Sequence, residues 1–80
     1  MHDRTANLTR ALELSFNGVQ IVTDSGQHLE RAAVEGCHAG WLVRDGSNQA
    51  LFRLTADGRA ELMRRAPWYA GMKPFYSGAV

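Results

Sequence analysis

The side chains best suited to a reactive centre are one cysteine and two histidines between positions 28 and 38. Cys37 could act as a thiol nucleophile with an imidazole base, or share a metal ion with His28 and His38. On a helix, however, His38 is the direct neighbour of Cys37 and points elsewhere, and His28 lies nine residues earlier on a different part of the surface. The spacing therefore favours a buried cysteine without chemistry, and we expect no metal site.

A second candidate is the triplet Asp24-Ser25-Gly26. It resembles the active-site triplet of aspartic proteases, in which two such aspartates face each other and share a proton. The flanking Thr23 and Gln27 depart from that family's pattern, and eighty residues leave little room for its two-lobed barrel. Asp24 or Ser25 as the N-cap of a helix explains the triplet without catalysis. We therefore expect a protein that is not an enzyme and that takes no cofactor.

Length and composition describe one small domain. Eighty residues fit a single domain, 1–80, with an N-terminal lead at 1–10 and an aromatic tail at 67–80, and 45% of the chain is apolar, too much for a disordered chain. A single cysteine cannot form an internal disulfide, which suits a reducing compartment. No apolar run has the length of a signal peptide or a membrane span. We expect a cytoplasmic protein with no membrane partner, present as a monomer or a homodimer.

Charge is divided unevenly along the chain. Residues 1–40 carry three arginines and five acidic residues, a formal charge of −2, whereas residues 41–80 carry six cationic and three acidic residues, a charge of +3. A dedicated nucleic-acid-binding protein usually has a larger positive excess, because phosphate contacts supply most of its affinity. The second half is therefore predicted to face an anionic partner, with nucleic acid among the candidates.

The segment LELSFNGVQIVT, residues 12–23, alternates apolar and polar side chains on both sides of Asn17-Gly18. Asn-Gly supplies the two positive-φ positions of a type I′ turn, so the pattern predicts a β-hairpin. Its cross-strand pairs would be Phe16 with Val19, Leu14 with Ile21 and Leu12 with Thr23. The alternative is a helix whose apolar face comprises Leu8, Ala11, Leu12, Ser15, Phe16 and Val19, although Asn-Gly within a helix is costly.

The next two elements follow from capping residues and turn signals. A helix is predicted after Asp24 or Ser25, ending at Gly40, with an apolar stripe of Leu29, Ala32, Ala33 and Cys37. The segments WLVR and ALFRL then flank DGSN and predict a second hairpin with a loop of about four residues. Its pairs would be Trp41 with Phe52, Leu42 with Leu51 and Val43 with Ala50.

A last helix is predicted from Thr55 as its N-cap to Pro67, where it must end. Thr23 to Gly26 and Thr55 to Gly58 share a Thr-x-x-Gly step, which hints at a repeated unit. The resulting fold class is α+β, a four-stranded antiparallel sheet of two hairpins with two helices on one face, in the order ββαββα. The alternative fold is a winged helix-turn-helix.

That alternative comes from residues 29–63. Gly40-Trp41-Leu42-Val43-Arg44 and Leu54-Thr55-Ala56-Asp57-Gly58-Arg59 resemble the winged helix-turn-helix family, in which a recognition helix ends in Gly before a strand, a wing and an LT-x-x-GR step into the last helix. The resemblance implies DNA contacts by Gln27, His28, Arg31, Arg44 and Arg53. Two features depart from the pattern: the predicted hairpin occupies the place of the preceding helix, and Glu30 and Glu35 lie on the recognition helix.

The predicted sheet also suggests a protein-binding surface. If Trp41, Val43, Phe52 and Leu54 face the helices, two leucines point outward beside arginines, a composition that protein interfaces favour. Trp68, Tyr69, Phe75 or Tyr76 of the tail could instead fold back over them. The predicted surface comprises Leu42, Arg44, Leu51, Arg53, Arg64 and Arg65, with Glu61 expected to be unable to pair with both of the last two.

From the sequence we predict a non-catalytic module that occupies the surface of a protein or nucleoprotein complex, as a small inhibitor or adaptor. Phage-encoded inhibitors of host machinery, anti-CRISPR proteins among them, are commonly of this size. The alternative function is a winged-helix DNA-binding transcriptional regulator, dimeric if it reads a palindrome.

Overall fold

A computed structural model of the protein describes residues 4–21 and 27–74. In chain order they form helices α1 (Arg4–Asn17) and α2 (Gln27–His38), strands β1 (Leu42–Arg44) and β2 (Phe52–Leu54), helix α3 (Ala56–Arg65) and a 3-10 helix (Pro67–Gly71). The protein is α+β, and its described part has three α-helices and one sheet of two antiparallel strands. The predicted four-stranded sheet and the order ββαββα are therefore wrong.

Asn17-Gly18 ends a helix instead of turning a hairpin. The amide of Gly18 donates to the Ser15 carbonyl at 3.3 Å, and the amide of Val19 donates to the Leu14 carbonyl at 2.9 Å. These bonds form a Schellman motif, which needs one residue with positive φ where a type I′ turn needs two. Gly18 supplies it with a φ of 74°, and Asn17 keeps a negative φ. The predicted hairpin at Asn17-Gly18 is therefore wrong, because a helix end and a type I′ turn both place a glycine at positive φ.

The helical alternative for this segment is the one that the molecule adopts. Ala11, Leu12, Ser15 and Phe16 are all buried, which places them in one stripe of α1. The hydroxyl of Ser15 donates to the Ala11 carbonyl at 2.8 Å, so its burial leaves no hydrogen bond unmade. Because α1 begins at Arg4, residues 4–10 of the predicted lead are helical as well.

The chain after α1 joins the second half of the molecule. Val19 is 47% exposed and lies beyond the helix, whereas Ile21 is buried. The amide of Ile21 donates to the Ala50 carbonyl at 2.7 Å. The predicted pairing of Ile21 with Leu14 is therefore replaced by a contact with the loop between β1 and β2.

Helix α2 ends at the predicted stop, in the same way as α1. Gly40 has a φ of 84°. Its amide donates to the Cys37 carbonyl at 3.1 Å, and the amide of Trp41 donates to the Gly36 carbonyl at 2.8 Å. The second Schellman motif reverses the chain within two residues and starts β1 directly beside α2.

The hairpin of β1 and β2 is confirmed, but its register differs from the prediction. The observed pairs are Leu42 with Leu54, Val43 with Arg53 and Arg44 with Phe52, so the loop between the strands runs from residue 45 to residue 51. The predicted faces are correct for β2 and inverted for β1. Leu42 is 1% exposed, whereas Val43 is 38% exposed.

The start of α3 confirms Thr55 as its N-cap. The Thr55 hydroxyl accepts a hydrogen bond from the Gly58 amide at 3.0 Å and donates one to the Gly40 carbonyl at 2.6 Å. A Cβ atom on Gly58 would lie 1.9 Å from the carbonyl oxygen of Trp41. The Thr-x-x-Gly step therefore packs α3 against the start of β1, and the helix ends before Pro67 as predicted.

The first part of the tail packs on α1. Tyr69 is 7% exposed, and its ring meets the Phe16 ring edge to face with centroids 4.9 Å apart. Trp68 is 67% exposed. Tyr69 therefore completes the core at α1 and does not cover the outer face of the hairpin, while Phe75 and Tyr76 lie outside the described residues.

One apolar core joins these elements. Its members are Ala11, Leu12, Phe16, Ile21, Ala32, Ala33, Leu42, Phe52, Leu54, Leu62, Ala66 and Tyr69. In the stretches 4–21 and 27–74, none of the helices has the length and apolar character needed to cross a membrane.

Candidate nucleic-acid interface

Helix α2 turns one face to the core and the opposite face outward. Ala32 and Ala33 are buried, and Leu29 and Cys37 pack against the core while partly buried, which confirms the predicted apolar stripe. Residues three, four and seven apart share a helix face. The far side of α2 therefore carries a second stripe of exposed side chains, called the outer stripe below: His28, Arg31, Val34 and His38.

Gly36 lets the hairpin approach this helix closely. A Cβ atom there would lie 2.7 Å from Cδ1 of Leu42. Leu42 therefore packs directly on the backbone of α2, and it does so as the first residue of β1. The contact fixes where the hairpin stands relative to the outer stripe.

Arg44, the last residue of β1, brings a positive charge to the junction of the hairpin with α2. Its Nη1 donates to the Gln49 carbonyl at 2.7 Å, and its guanidinium carbon lies 4.7 Å from the centre of the Phe52 ring. Burial raises the pKa of the Cys37 thiol, and Arg44 opposes that shift, so the guanidinium lies within electrostatic reach of α2. The side chain is exposed, and its remaining N–H groups suit an anionic ligand.

The loop between the strands is held by Asp45. Its Oδ1 accepts hydrogen bonds from the amide and the hydroxyl of Ser47, both at 2.7 Å, and its Oδ2 accepts one from Nη2 of Arg53 at 2.8 Å. The bonds from Ser47 first, and then that from Arg53, lower the pKa of Asp45 to about 2. The side-chain oxygen of Asn48 also accepts from the Ala50 amide at 3.0 Å. These hydrogen bonds give the loop a defined shape, and Arg53 is bound to the loop through Asp45.

The residues predicted for DNA contact fall into two groups. His28 and Arg31 lie together on the exposed face of α2, and Arg44 ends β1 within electrostatic reach of Cys37 on that helix. Arg53 lies on the opposite face of the hairpin, bound to the loop. Gln27 begins α2, and its side chain lies outside the described residues.

The residues predicted for protein contact do not form one surface. Leu42 belongs to the core, so the expectation of two neighbouring outward leucines is wrong. Leu51 is partly buried in the loop. Arg44 and Arg53 occupy opposite faces of the hairpin, because Arg44 pairs with Phe52, the residue next to Arg53 in β2.

The remaining two arginines of that set both bind Glu61, contrary to the expectation. Arg64 donates to its carboxylate through Nε and Nη2, and Nε of Arg65 donates to Oε2 at 2.6 Å. The bonds from Arg64 first, and then those from Arg65, lower the pKa of Glu61 to about 2. Arg65 is 15% exposed, and its guanidinium carbon lies 5.4 Å from the Trp41 ring centre. Arg65 is therefore a structural residue, while Arg64 remains at the surface.

The surroundings of Cys37 do not suit a nucleophile. Burial raises the pKa of its thiol, whereas a reactive cysteine needs a lowered one. Within residues 4–21 and 27–74, no group of three His, Cys, Asp or Glu side chains could hold a metal ion. Thr23, Asp24, Ser25 and Gly26 lie outside the described residues.

Val34 and His38 of the outer stripe are not among the residues predicted for DNA contact. Both follow from the spacing, since they lie three and seven residues after Arg31 on the same helix. The same side of α2 borders a groove of about 560 Å³ that it shares with Asn7 of α1; the α2 residues that line it are His28, Glu30, Arg31, Ala32, Val34 and Glu35.

Comparisons of the chain with protein-family models, with curated proteins and with solved structures found no match.

Proposed function

We propose that this protein is a DNA-binding module in which α2 enters the major groove and the hairpin of β1 and β2 lies against the neighbouring phosphate backbone. The observation that carries the proposal is the outer stripe of exposed side chains on α2, a helix that leads within a few residues into the hairpin. The resemblance of residues 29–63 to the winged helix-turn-helix family involves these same elements, and the helix found at residues 4–17 removes one of the departures from that pattern.

The dimensions of the outer stripe fit a groove. From His28 to His38 the helix advances about 15 Å at 1.5 Å per residue. That length corresponds to roughly four base-pair steps of 3.4 Å. The major groove is about 12 Å wide and admits an α-helix. The stripe offers one guanidinium and two imidazoles for hydrogen bonds to bases and phosphates.

Arg44 supports a contact with the backbone beside the groove. Its guanidinium lies over the Phe52 ring and is restrained by the hydrogen bond to the Gln49 carbonyl, so less freedom is lost when a phosphate binds. The hydrogen bonds of Asp45 also hold the loop in shape before any ligand arrives. A restrained hairpin next to an exposed helix suits duplex DNA, where backbone contacts fix the orientation of the element that enters the groove.

Fluorescence anisotropy with a labelled random-sequence duplex tests the proposal. Affinity should fall steeply as salt rises from about 50 to 200 mM, because bound phosphates release counterions. Arg31→Ala and Arg44→Ala should each weaken binding and reduce the slope of log affinity against log salt by about one. Arg64→Ala is the matched control, because Arg64 is exposed but lies on α3 bound to Glu61. Binding without salt dependence, or equal losses in all three variants, would contradict the proposal.

The protein-binding function stays a prediction, although the burial of Leu42 removes the apolar centre of its surface. A pull-down from a host lysate, with and without nuclease treatment, separates the two functions. A captured partner that survives nuclease, together with no binding to duplex DNA, would replace our proposal with the inhibitor or adaptor. Capture that nuclease abolishes would support DNA binding.

A further inference from the structure

The side chains near the centre of α2 also indicate which base pairs it selects, an inference that rests on the proposed function. Arg31 and Val34 are exposed and Glu35 is half-buried. All three border the protein groove that α2 shares with Asn7 of α1. Arg31 and Glu35 are four residues apart, or about 6 Å along the helix axis. That separation is less than two base-pair steps, so both side chains address one short stretch of DNA.

Glu35 is the unexpected member of this group. A carboxylate near phosphates lowers affinity for every duplex, because it repels the backbone. In the major groove, however, a carboxylate accepts a hydrogen bond from the N4 amino group of cytosine. An acidic side chain at this position therefore favours one base at the expense of general affinity, which is how repulsion produces specificity.

We propose that α2 selects a site containing a guanine and a cytosine one or two base pairs apart. Arg31 donates to O6 and N7 of the guanine, and Glu35 accepts from N4 of the cytosine. Val34, 36% exposed, presents an apolar surface next to Glu35, which fits the methyl group of an adjacent thymine. The three side chains thus match the donors, acceptors and methyl groups that distinguish base pairs in the major groove.

This assignment predicts opposite effects of one substitution on affinity and on specificity. Glu35→Gln should bind duplexes that lack the site more tightly than the wild type does, because the negative charge is gone. The same variant should prefer cytosine over the other bases at this position about tenfold less than the wild type does. A side chain with a purely structural role would not change affinity and base preference in opposite directions.

Selection of bound duplexes from a pool with a randomised centre, followed by sequencing, measures both effects. The wild type should enrich a guanine and a cytosine at a fixed separation of one or two base pairs. Arg31→Ala should lose the guanine preference, since the donors to O6 and N7 are gone, and Glu35→Gln should lose the cytosine preference. Glu30→Gln is the matched control, because Glu30 lies on the same helix and lines the same groove of the protein as Glu35. Far-UV circular dichroism verifies that each variant is folded.

The possible failures are distinguishable. Salt-dependent binding without enrichment of a guanine and a cytosine would overturn this inference and leave the proposed function standing. A cytosine preference that survives Glu35→Gln, or that Glu30→Gln abolishes equally, would overturn the role of Glu35. Absence of binding to any duplex in the pool would overturn both the inference and the proposed function.

Discussion

Gly58 shows how a single residue without a side chain positions a whole helix. The carbonyl oxygen of Trp41 accepts a hydrogen bond from the Thr55 amide at 3.0 Å, and a Cβ atom on Gly58 would lie 1.9 Å from that same oxygen. Alanine is better than glycine within a helix by about 1 kcal/mol. If replacing Gly58 by alanine lowers the stability, the cause is therefore the close approach of α3 to β1 and not the helix propensity of the new residue.

We expect Gly58→Ala to lower the free energy of unfolding by about 1–3 kcal/mol, since the backbone of Trp41 must move to admit the methyl group. Urea denaturation followed by circular dichroism measures this loss. Gly46→Ala is the control, because nothing lies within 4 Å of the added carbon, and it should change stability by no more than about 0.5 kcal/mol. Equal losses in the two variants would mean that the contact with Trp41 is not the cause.

Glu61 and Asp45 should make the protein sensitive to acid. The pKa of each carboxyl group is about 2, against usual values of 4.5 and 3.8. The native state binds these protons more weakly than the unfolded chain does, so the stabilisation is fully present above the usual pKa values and is lost as pH falls towards 2. The urea midpoint should therefore decrease between about pH 5 and pH 2. The urea midpoint of Glu61→Gln should decrease less over this pH range than that of the wild type. A decrease as large as in the wild type would contradict the role of Glu61.

At the level of elements, three parts of the fold were predictable because each has a local signal: α2, α3 and the hairpin formed by β1 and β2. Gly40, Thr55 and Pro67 mark ends and starts that depend on backbone chemistry within a few residues. Residues 12–21 had an ambiguous signal, because Gly18 fits a helix end as well as a turn, and their apolar side chains fit a strand period and a helix period at once. The helix prevails because it buries Ala11 and Ser15 together with Leu12 and Phe16, a tertiary effect that sequence spacing does not reveal.

The glycine that ends α2 allows a clean test of its capping motif. We expect Gly40→Ala to cost about 1–2 kcal/mol of stability, because the residue needs a φ of 84° and no neighbouring atom lies within 4 Å to add a clash. Gly40→Asn should cost less, since asparagine tolerates positive φ. Thermal denaturation compares both with Gly71→Ala, which has open space and no positive φ. Equal costs for alanine and asparagine would argue against the Schellman motif.

The candidate interface was predicted in part, at His28 and Arg31 on α2 and at Arg44 on β1. His28 and Arg31 followed from the resemblance to the winged helix-turn-helix family, and their places on α2 survive an error of one or two residues in the helix ends. Leu42 did not follow, because the direction of a side chain on a strand inverts when the register moves by an odd number of residues. That register depends on a seven-residue loop held by Asp45 and Asn48, and no local pattern predicted its length.

For the molecule as a whole, one shared core implies one cooperative unfolding transition. Members of that core come from all three α-helices, both strands and the 3-10 helix. A protein of this size has only about 4–12 kcal/mol of stability. Losing any part of the core should therefore destabilise every element together, including the elements of the candidate interface.

Leu62→Ala, which truncates a fully buried side chain of α3, should lower the free energy of unfolding by about 2–5 kcal/mol. Far-UV circular dichroism and tryptophan fluorescence should show coincident transitions in the wild type and in the variant. Val43→Ala, at a position 38% exposed, is the control and should lose less than about 1 kcal/mol. Separate transitions by the two methods would show that the hairpin and the helices unfold independently.

Arg65 also joins α3 to the first turns of α1. Its Nη1 donates to the carbonyl oxygen of Thr5 at 3.3 Å and to the hydroxyl of Thr9 at 3.0 Å. Proteolysis that removes Thr5, or an affinity tag that distorts the first turn of α1, would thus disrupt these hydrogen bonds. The contact between α3 and α1 would weaken at Arg65, sixty residues after Thr5. Fusions for purification or labelling should carry a flexible spacer ahead of that turn.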